Sequence, residues 1–527
     1  MTMPAARRVA VVGAGPAGLS AAQAALAAGA RVTLIDAAEE PGGQYHRTVP
    51  EAYAPRRPWH LQHGWRAFEH RRRRVLAHPR CTWLPRTSVW ALERPRPGHE
   101  GPPRLHLLCS GPADGAGRPR RTLDADALVL AVGAHDRVLP FPGWELPGVF
   151  TAGAAQALAK GERVAVGERV VVAGSGPFLL PVAASLLDAG SRVREVLEAN
   201  TAATTARGWG RRPWELVAQA GKAVELAGHA AALARHRVPY RTGRAVVEAR
   251  GDGRVEEVVT ARLRADWSVL DGTRRTVAVD AVCVGHGFSP QLELPLAAGC
   301  ALGERPEPGG DTAGARESGP PGPRGAPGAF VHVDAQQRTS VPGVFAAGEI
   351  TGIAGATAAR AEGAVAGWSA ATGGSAPRDP GARRALRALR QSRDQGRAFA
   401  ERLARAHPVG AAWPGWLRPQ TVVCRCEETD YGSLCAAFAT EAGAAPRVAK
   451  LNTRAGLGPC QGRICGPTVA ELRRRLAGDT PDRPAEGLPA ADPHRRPLAQ
   501  PIRLGELAAG SAPLTDAGHR PEEESSS

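Results

Sequence analysis

Residues 9–36 read VAVVGAGPAGLSAAQAALAAGARVTLID, and the reading of this stretch decides the fold. Val9 to Val12 make an apolar strand, and Gly13, Ala14, Gly15, Pro16, Ala17 and Gly18 form a turn that opens an alanine-rich helix. A second apolar strand then ends at Asp36. The three glycines have separate tasks. Gly13 permits the turn, Gly15 lets the backbone approach a pyrophosphate at the positive end of the helix, and Gly18 lets helix and strand pack closely. Asp36 stands where an acid accepts hydrogen bonds from ribose hydroxyls. An ordinary glycine-rich turn would explain the glycines but not the acid at the strand's end. The stretch therefore predicts a Rossmann-like dinucleotide-binding unit in an α/β fold.

Working outward, 527 residues with 43% apolar content suffice for two to four domains with proper cores. The formal charge of +16 comes from 67 Lys and Arg against 51 Asp and Glu, spread along most of the chain. Basic runs such as Arg71 to Arg74 read as solvated helix faces, and no nucleic-acid motif accompanies them. Neither a secretory succession nor an apolar run long enough for a transmembrane helix is visible. The expectation is a cytoplasmic protein, with peripheral association with the inner membrane left open.

Pro41 to Tyr45, with Gly42, Gly43 and Gln44, suits a loop passing close to a ligand. A strand over 123–133 ends in Gly133 and closes a first segment, and the proline-rich 139–148 is an extended crossover. A second nucleotide unit follows from Arg169 to Gly190. Gly174 and Gly176 match the first two fingerprint glycines, Leu179 replaces the third, and Glu198 stands at the end of the next strand, where it would favour an unphosphorylated ribose. The fold reading holds there, while nicotinamide binding stays open. The chain then returns to the first unit through residues 330–350, ending in Gly348 and Glu349, ahead of a Gly/Ala-rich helix. The expected organisation is 1–140 for the first segment of the flavin-type unit and 141–290 for the nested NAD(P)-binding-like unit. The return segment is 291–375 with a mobile insertion at 303–328. A helical linker at 376–412, a small helical cysteine domain at 413–475 and a disordered tail at 476–527 follow.

Five of nine cysteines lie between Cys424 and Cys465. Cys424 and Cys426 form C-x-C; Cys460 and Cys465 form C-x4-C. Four thiolates from two turns can enclose a [2Fe-2S] cluster, with amides of Gly456, Gly458 and Gly462 directed at its sulfurs. Zinc is the alternative, although its structural sites usually space cysteines two to four apart. Cys435 lies in an apolar helix-like segment and reads as packing. Neither nucleotide unit carries a redox-active cysteine pair, which disfavours disulfide reduction. No general base emerges: His135 and His286 follow strand-end glycines but read as packed or solvent-facing histidines.

In this order, GlyAlaGlyProAlaGly with ProGlyGlyGln, GlySerGlyPro, AlaGlyGluIleThrGlyIleAlaGly, CysArgCysGluGlu and CysGlnGlyArgIleCys make the chain resemble the flavoprotein α subunits of opine oxidases, hydrogen cyanide synthase and hydroxyproline (proline) dehydrogenases. The likeness spans residues 8 to about 475, and its cysteine part is similar to a bacterioferritin-associated-ferredoxin-like domain. The resemblance implies two glutathione-reductase-type units, one nested in the other. It implies FAD at Gly13, Gly15, Gly18, Asp36, Gln44, Gly348 and Glu349, and [2Fe-2S] ligation by Cys424, Cys426, Cys460 and Cys465. It also implies that an amine, imino acid or opine C–N bond is oxidised in a separate FAD-containing β subunit. This chain would relay electrons to an acceptor, and a small ferredoxin-like subunit is a further implied partner. Two other readings remain: a self-contained NAD(P)H-dependent flavin reductase, and a zinc-bound interaction module on a flavoprotein scaffold.

Overall fold

The computed structural model describes residues 6–49, 62, 64–96, 101–109, 118–210, 220–303, 329–439, 446–476, 494, 496 and 498–514. The expected insertion at 303–328 lies outside them from residue 304 onward, as does most of 476–493.

Two five-stranded parallel sheets form the body. In the first, Arg8–Val12 is the central strand, flanked by Arg31–Ile35 and Ala127–Leu130, with Cys81–Leu84 and Val344–Ala346 at the edges. Val344–Ala346 arrives from the far side of the nested unit and completes the sheet. In the second, Arg169–Gly174 is central between Arg192–Glu198 and Ala281–Gly285, with Tyr240–Thr242 and Val149–Thr151 at the edges. The central strands are unbroken apolar runs because helices cover both faces of a parallel sheet. Val9, Val11, Leu34 and Val129 accordingly sit in one core, and Val170, Val172 and Cys283 in another. The two passages between units, Ala134–Asp136 and Phe288–Pro290, pair antiparallel with one another.

Close packing explains several small residues. A Cβ on Gly18 would lie 1.6 Å from the Gly13 carbonyl oxygen, so the first helix, Pro16–Ala27, could not seat against its strand with any other residue. Gly363 and Gly367 of the helix Ala356–Thr372 meet the Ala17 and Ala21 carbonyls in the same way, which brings these two helices into backbone contact.

The linker is one long helix, Pro380–Ala406, started by the Asp379 carboxylate accepting from Ala382 N–H at 2.6 Å. At 27 residues it reaches on the order of 40 Å. Gly396 packs on Ala358 in the first unit, and Ala406 packs on Gly208 in the nested unit. The helix straps the two units together.

Disorder was the expectation for 476–527, and the described part of that segment departs from it. Ser511–Pro513 adds a parallel strand beside Arg120–Leu123, and the short helix Leu504–Ala508 is fixed by a Glu506–Arg118 ion pair at 2.6 Å. The sheet Thr87–Glu93, Arg104–Cys109, Arg120–Leu123 has an open edge whose unpaired backbone groups the tail satisfies. Among the described residues no helix is long and apolar enough to cross a membrane.

Candidate functional site

The first glycine turn sits at the N-terminus of Pro16–Ala27, and no side chain caps that helix, which leaves first-turn amides such as those of Ala17 and Gly18 free for an anion. The Cβ direction of Gly15 meets only Gly43 Cα, at 3.9 Å, so the backbone is open where a pyrophosphate would approach. Asp36 accepts from Ala14 N–H at 2.5 Å and from Ala38 N–H at 2.8 Å. Burial holds its carboxyl above the usual range, against the pull of those two donors.

Residues far apart in sequence converge on this turn. Gly348, at φ +82°, has its Cβ direction 3.0 Å from Ala17 Cβ, placing the return segment over the first helix's N-terminus. The strand expected to run into Gly348 and Glu349 stops at Ala346. A 3-10 turn, Glu349–Thr351, follows, because Gly348 takes a backbone conformation that no strand accommodates. Glu349 Oε1 accepts from Gly355 N–H at 2.9 Å at the start of Ala356–Thr372. Gln44 accepts from Arg47 on the loop after the second strand. Gly133 ends its segment at φ +79°, with open space at its Cβ position and its carbonyl accepting from Gln291 N–H at 3.0 Å. Gly13, Ala14, Gly15, Pro16, Ala17, Gly18, Asp36, Gly43 and Gly348 thus come together around one turn, while Gln44, Glu349 and Gly133 lie on the loops around it.

Sequence reasoning missed what holds Gly348. The buried Glu362 accepts from Gly348 N–H at 2.9 Å and from Thr351 Oγ1 at 2.7 Å, and its other oxygen takes Arg397 Nε at 3.0 Å. An acid inside the alanine-rich run 356–372 was the available signal.

In the nested unit, Gly174, Gly176 and Glu198 also come together, with Gly176 N–H donating to Glu198 Oε2 at 2.7 Å. Leu179 at the third fingerprint position is buried against Gly285, filling the space that a glycine would leave for close helix–strand approach. Glu198 is fully buried and also accepts from Asn200 N–H at 3.0 Å. His407, from the far end of the linker, lies 3.1 Å from its carboxylate.

His286 is packed: burial, with the Arg137 cation nearby, pushes its imidazole down to about 3. His135 is half-buried, and desolvation lowers it despite the neighbouring Glu293.

The four cysteines named from spacing line one cavity of about 240 Å³, together with Val138, Trp144, Thr151 and Ile464. They are held as two hydrogen-bonded pairs, Cys424 with Cys465 and Cys426 with Cys460. The bond from Cys465 brings the Cys424 thiol down to about 5 despite its burial, aided by the N–H groups of Gly456, Glu427 and Cys426. Cys465, the donor, is raised. Among the described residues no three His, Cys, Asp or Glu side chains converge as for a single metal ion. Four sulfurs lining one cavity, with backbone N–H donors around Cys424, are a donor set that could hold a metal centre. Cys435 stays outside the cavity.

The cavity is walled by the crossover between the two nucleotide units. Trp144, from the crossover, donates to the Val422 carbonyl, and Arg425 stacks over its ring at 5.0 Å. Arg137 pairs with Glu471 at 2.6 Å, both buried, and Thr468 Oγ1 donates to the Val138 carbonyl at 2.6 Å.

The profile of pyridine nucleotide-disulphide oxidoreductases matches residues 7–315. The chain belongs to this family. It is an FAD-dependent oxidoreductase. Within the family it is 31% identical to the A subunit of opine oxidase from Rhizobium meliloti over 516 residues, covering 95% of this chain and 87% of the relative. It is also 31% identical to the HcnB subunit of hydrogen cyanide synthase from Pseudomonas aeruginosa, over 89% of this chain and 93% of that one. The fold is shared with L-proline dehydrogenase from P. horikoshii at a TM-score of 0.58 and 19% identity, covering 95% of this chain and 79% of that chain. The resemblance read from the motifs is thereby confirmed, and the kin group of opine oxidase and hydrogen cyanide synthase includes this oxidoreductase.

Proposed function

We propose that this chain is the electron-relaying subunit of a heteromeric dehydrogenase or oxidase. Reducing equivalents from an amine, imino acid or opine-type C–N bond, oxidised in a flavin-containing partner, would pass through it to an acceptor. The observation that carries the reading is the packing of the four-cysteine cavity onto the crossover of the flavoprotein, through Trp144, Val138 and Thr151. Two redox sites built into one body are what a relay requires.

Gly13, Gly15, Gly18, Asp36, Gly43 and Gly348 would hold FAD, and Cys424, Cys426, Cys460 and Cys465 a [2Fe-2S] cluster. When bound, the flavin interconverts two-electron and one-electron chemistry and the cluster carries single electrons. The chain's own residues do the rest. The uncapped helix at Pro16 neutralises phosphate charge, Asp36 orients a ribose, and Glu362 fixes the Gly348 turn. The N–H donors around Cys424 stabilise thiolate charge, and Trp144 covers the cavity. Both relatives are named as one subunit of their enzyme, which supports the heteromer.

Co-purification from the native host tests this reading. The complex should reduce a dye when an opine or imino acid is added, and should contain iron with equimolar acid-labile sulfide. Zinc without sulfide would remove the cluster from the reading, and full activity of the chain on its own would remove the partner.

A further inference from the structure

In both nucleotide units a central parallel strand leads into a glycine turn, yet the two turns face different surroundings. In the first, the space over Gly15 is bounded by another glycine, Gly43. In the nested unit the chain itself lies over the turn. The linker helix ends at Ala406, and the next residue, His407, sits on the Ser175–Gly176 turn with its Cβ 4.0 Å from the Cβ position of Gly176. Ser175 Oγ donates to the His407 carbonyl at 3.2 Å, and Asn200 Nδ2 donates to Ser175 Oγ at 2.8 Å. The imidazole is held at both ends: Nδ1 lies 3.1 Å from Glu198 Oε2, and Trp209 Nε1 donates to Nε2 at 3.2 Å.

A dinucleotide on such a unit needs two places, the turn for its pyrophosphate and the acid at the end of the second strand for its ribose. Here the peptide of His407 occupies the first and its imidazole the second. Glu198 is spent on Gly176, Asn200 and His407 and is 0% exposed, so it has no surface to offer a ribose. The residues that follow thicken the cover: Gly410 lies against Trp267, Trp267 Nε1 reaches Asn200 Oδ1 at 3.4 Å, and Trp416 stacks on Trp267 at 5.9 Å. The strap is anchored on both sides, since Ala406 packs so tightly on Gly208 that a Cβ there would lie 2.3 Å from Ala406 Cα.

We infer that the nested unit is closed to nicotinamide dinucleotides by the chain's own His407 segment, and that its nucleotide fold serves as a socket locking the linker helix and the cysteine domain in place. Selectivity against NAD(P)H is therefore built into the tertiary structure while the Gly174, Gly176 and Glu198 signature stays intact. This inference stands on the nested unit alone and is independent of which substrate feeds the flavin.

The test uses the full chain loaded with FAD, so that the first unit is filled, titrated with NADH, NADPH and ADP-ribose by calorimetry and by Trp fluorescence. NADH seated over Glu198 would quench Trp209 by energy transfer. No saturable heat or quenching is expected up to about 1 mM. Saturable binding tighter than about 0.1 mM that Glu198→Gln abolishes would overturn the inference. The variant His407→Ala opens the ribose place, and ADP-ribose affinity should rise at least about tenfold. A His407→Ala chain that keeps its FAD and melting profile yet still refuses ADP-ribose would also overturn the role given to His407. If that variant does not fold, the titration of the unaltered chain decides.

Discussion

Arg397 Nε lies 3.0 Å from Glu362 Oε1, while the other oxygen of Glu362 accepts the Gly348 N–H at 2.9 Å. A linker residue thereby fixes, through one buried carboxylate, the turn that covers the first helix's N-terminus. Arg397 also donates to Gln337 Oε1 at 2.9 Å, and Gln337 Nε2 donates to the Ala346 carbonyl at 2.9 Å, so the strand before Gly348 is held as well. Removing Arg397 leaves a buried carboxylate with two donors and no cation. Arg397→Ala should cost about 1–3 kcal/mol, discounted from the figure for fully buried pairs because Arg397 is partly exposed. It should also weaken FAD retention. Denaturant midpoints with flavin fluorescence measure both, and Glu362→Gln combined with Arg397→Ala should cost less than the sum of the two.

Gly15 and Gly18 separate ligand binding from folding. A Cβ on Gly15 meets nothing closer than 3.9 Å, so Gly15→Ala should leave the flavin-free chain folded while lowering FAD affinity by about tenfold or more. A Cβ on Gly18 would overlap the Gly13 carbonyl, so Gly18→Ala should lower the melting temperature of the flavin-free chain itself. Equal effects of both changes on the flavin-free chain would contradict the assignment.

Cys460→Ser breaks the Cys426–Cys460 pair and leaves the flavin turn untouched. The variant should lose iron, acid-labile sulfide and the reduced-cluster paramagnetic signal while keeping its FAD. Loss of flavin in the same proportion as iron would mean that the two sites are not separately built.

His286 supplies a pH dependence. Its imidazole is neutral in the fold, with a folded value of about 3 against 6.5 when exposed. Between these values the unfolded chain binds a proton that the folded chain does not. Its contribution is therefore fully present above pH 6.5 and is lost as the pH falls toward 3, at no more than about 1.4 kcal/mol per pH unit. His286→Asn should flatten the stability profile between about pH 6.5 and 4, read as denaturant midpoints. An unchanged slope would show that His286 is hydrated in the fold.

Both nucleotide units and the cysteine quartet were legible in the sequence, because glycine spacing, strand-end acids and C-x-C with C-x4-C are local patterns with local physical causes. Asp36 on the Ala14 N–H and the four thiols in one cavity follow from those patterns. Ser511–Pro513 departs from the expected disorder: its composition matches a solvated segment, while the edge of Arg120–Leu123 that recruits it lies far back in the chain.

By itself, then, the sequence determined the two Rossmann-like units, their nesting and the identity of the thiols. Only the tertiary structure decided how Gly348 is held, through Glu362 and Arg397, and what faces the second glycine turn. Gly174, Gly176 and Glu198 spell the same signature whether a ribose or His407 fills the space beside them. Local sequence sets the shape of a strand–turn–helix, but which group occupies its anion site depends on where a helix that starts far downstream, at Pro380, comes to an end.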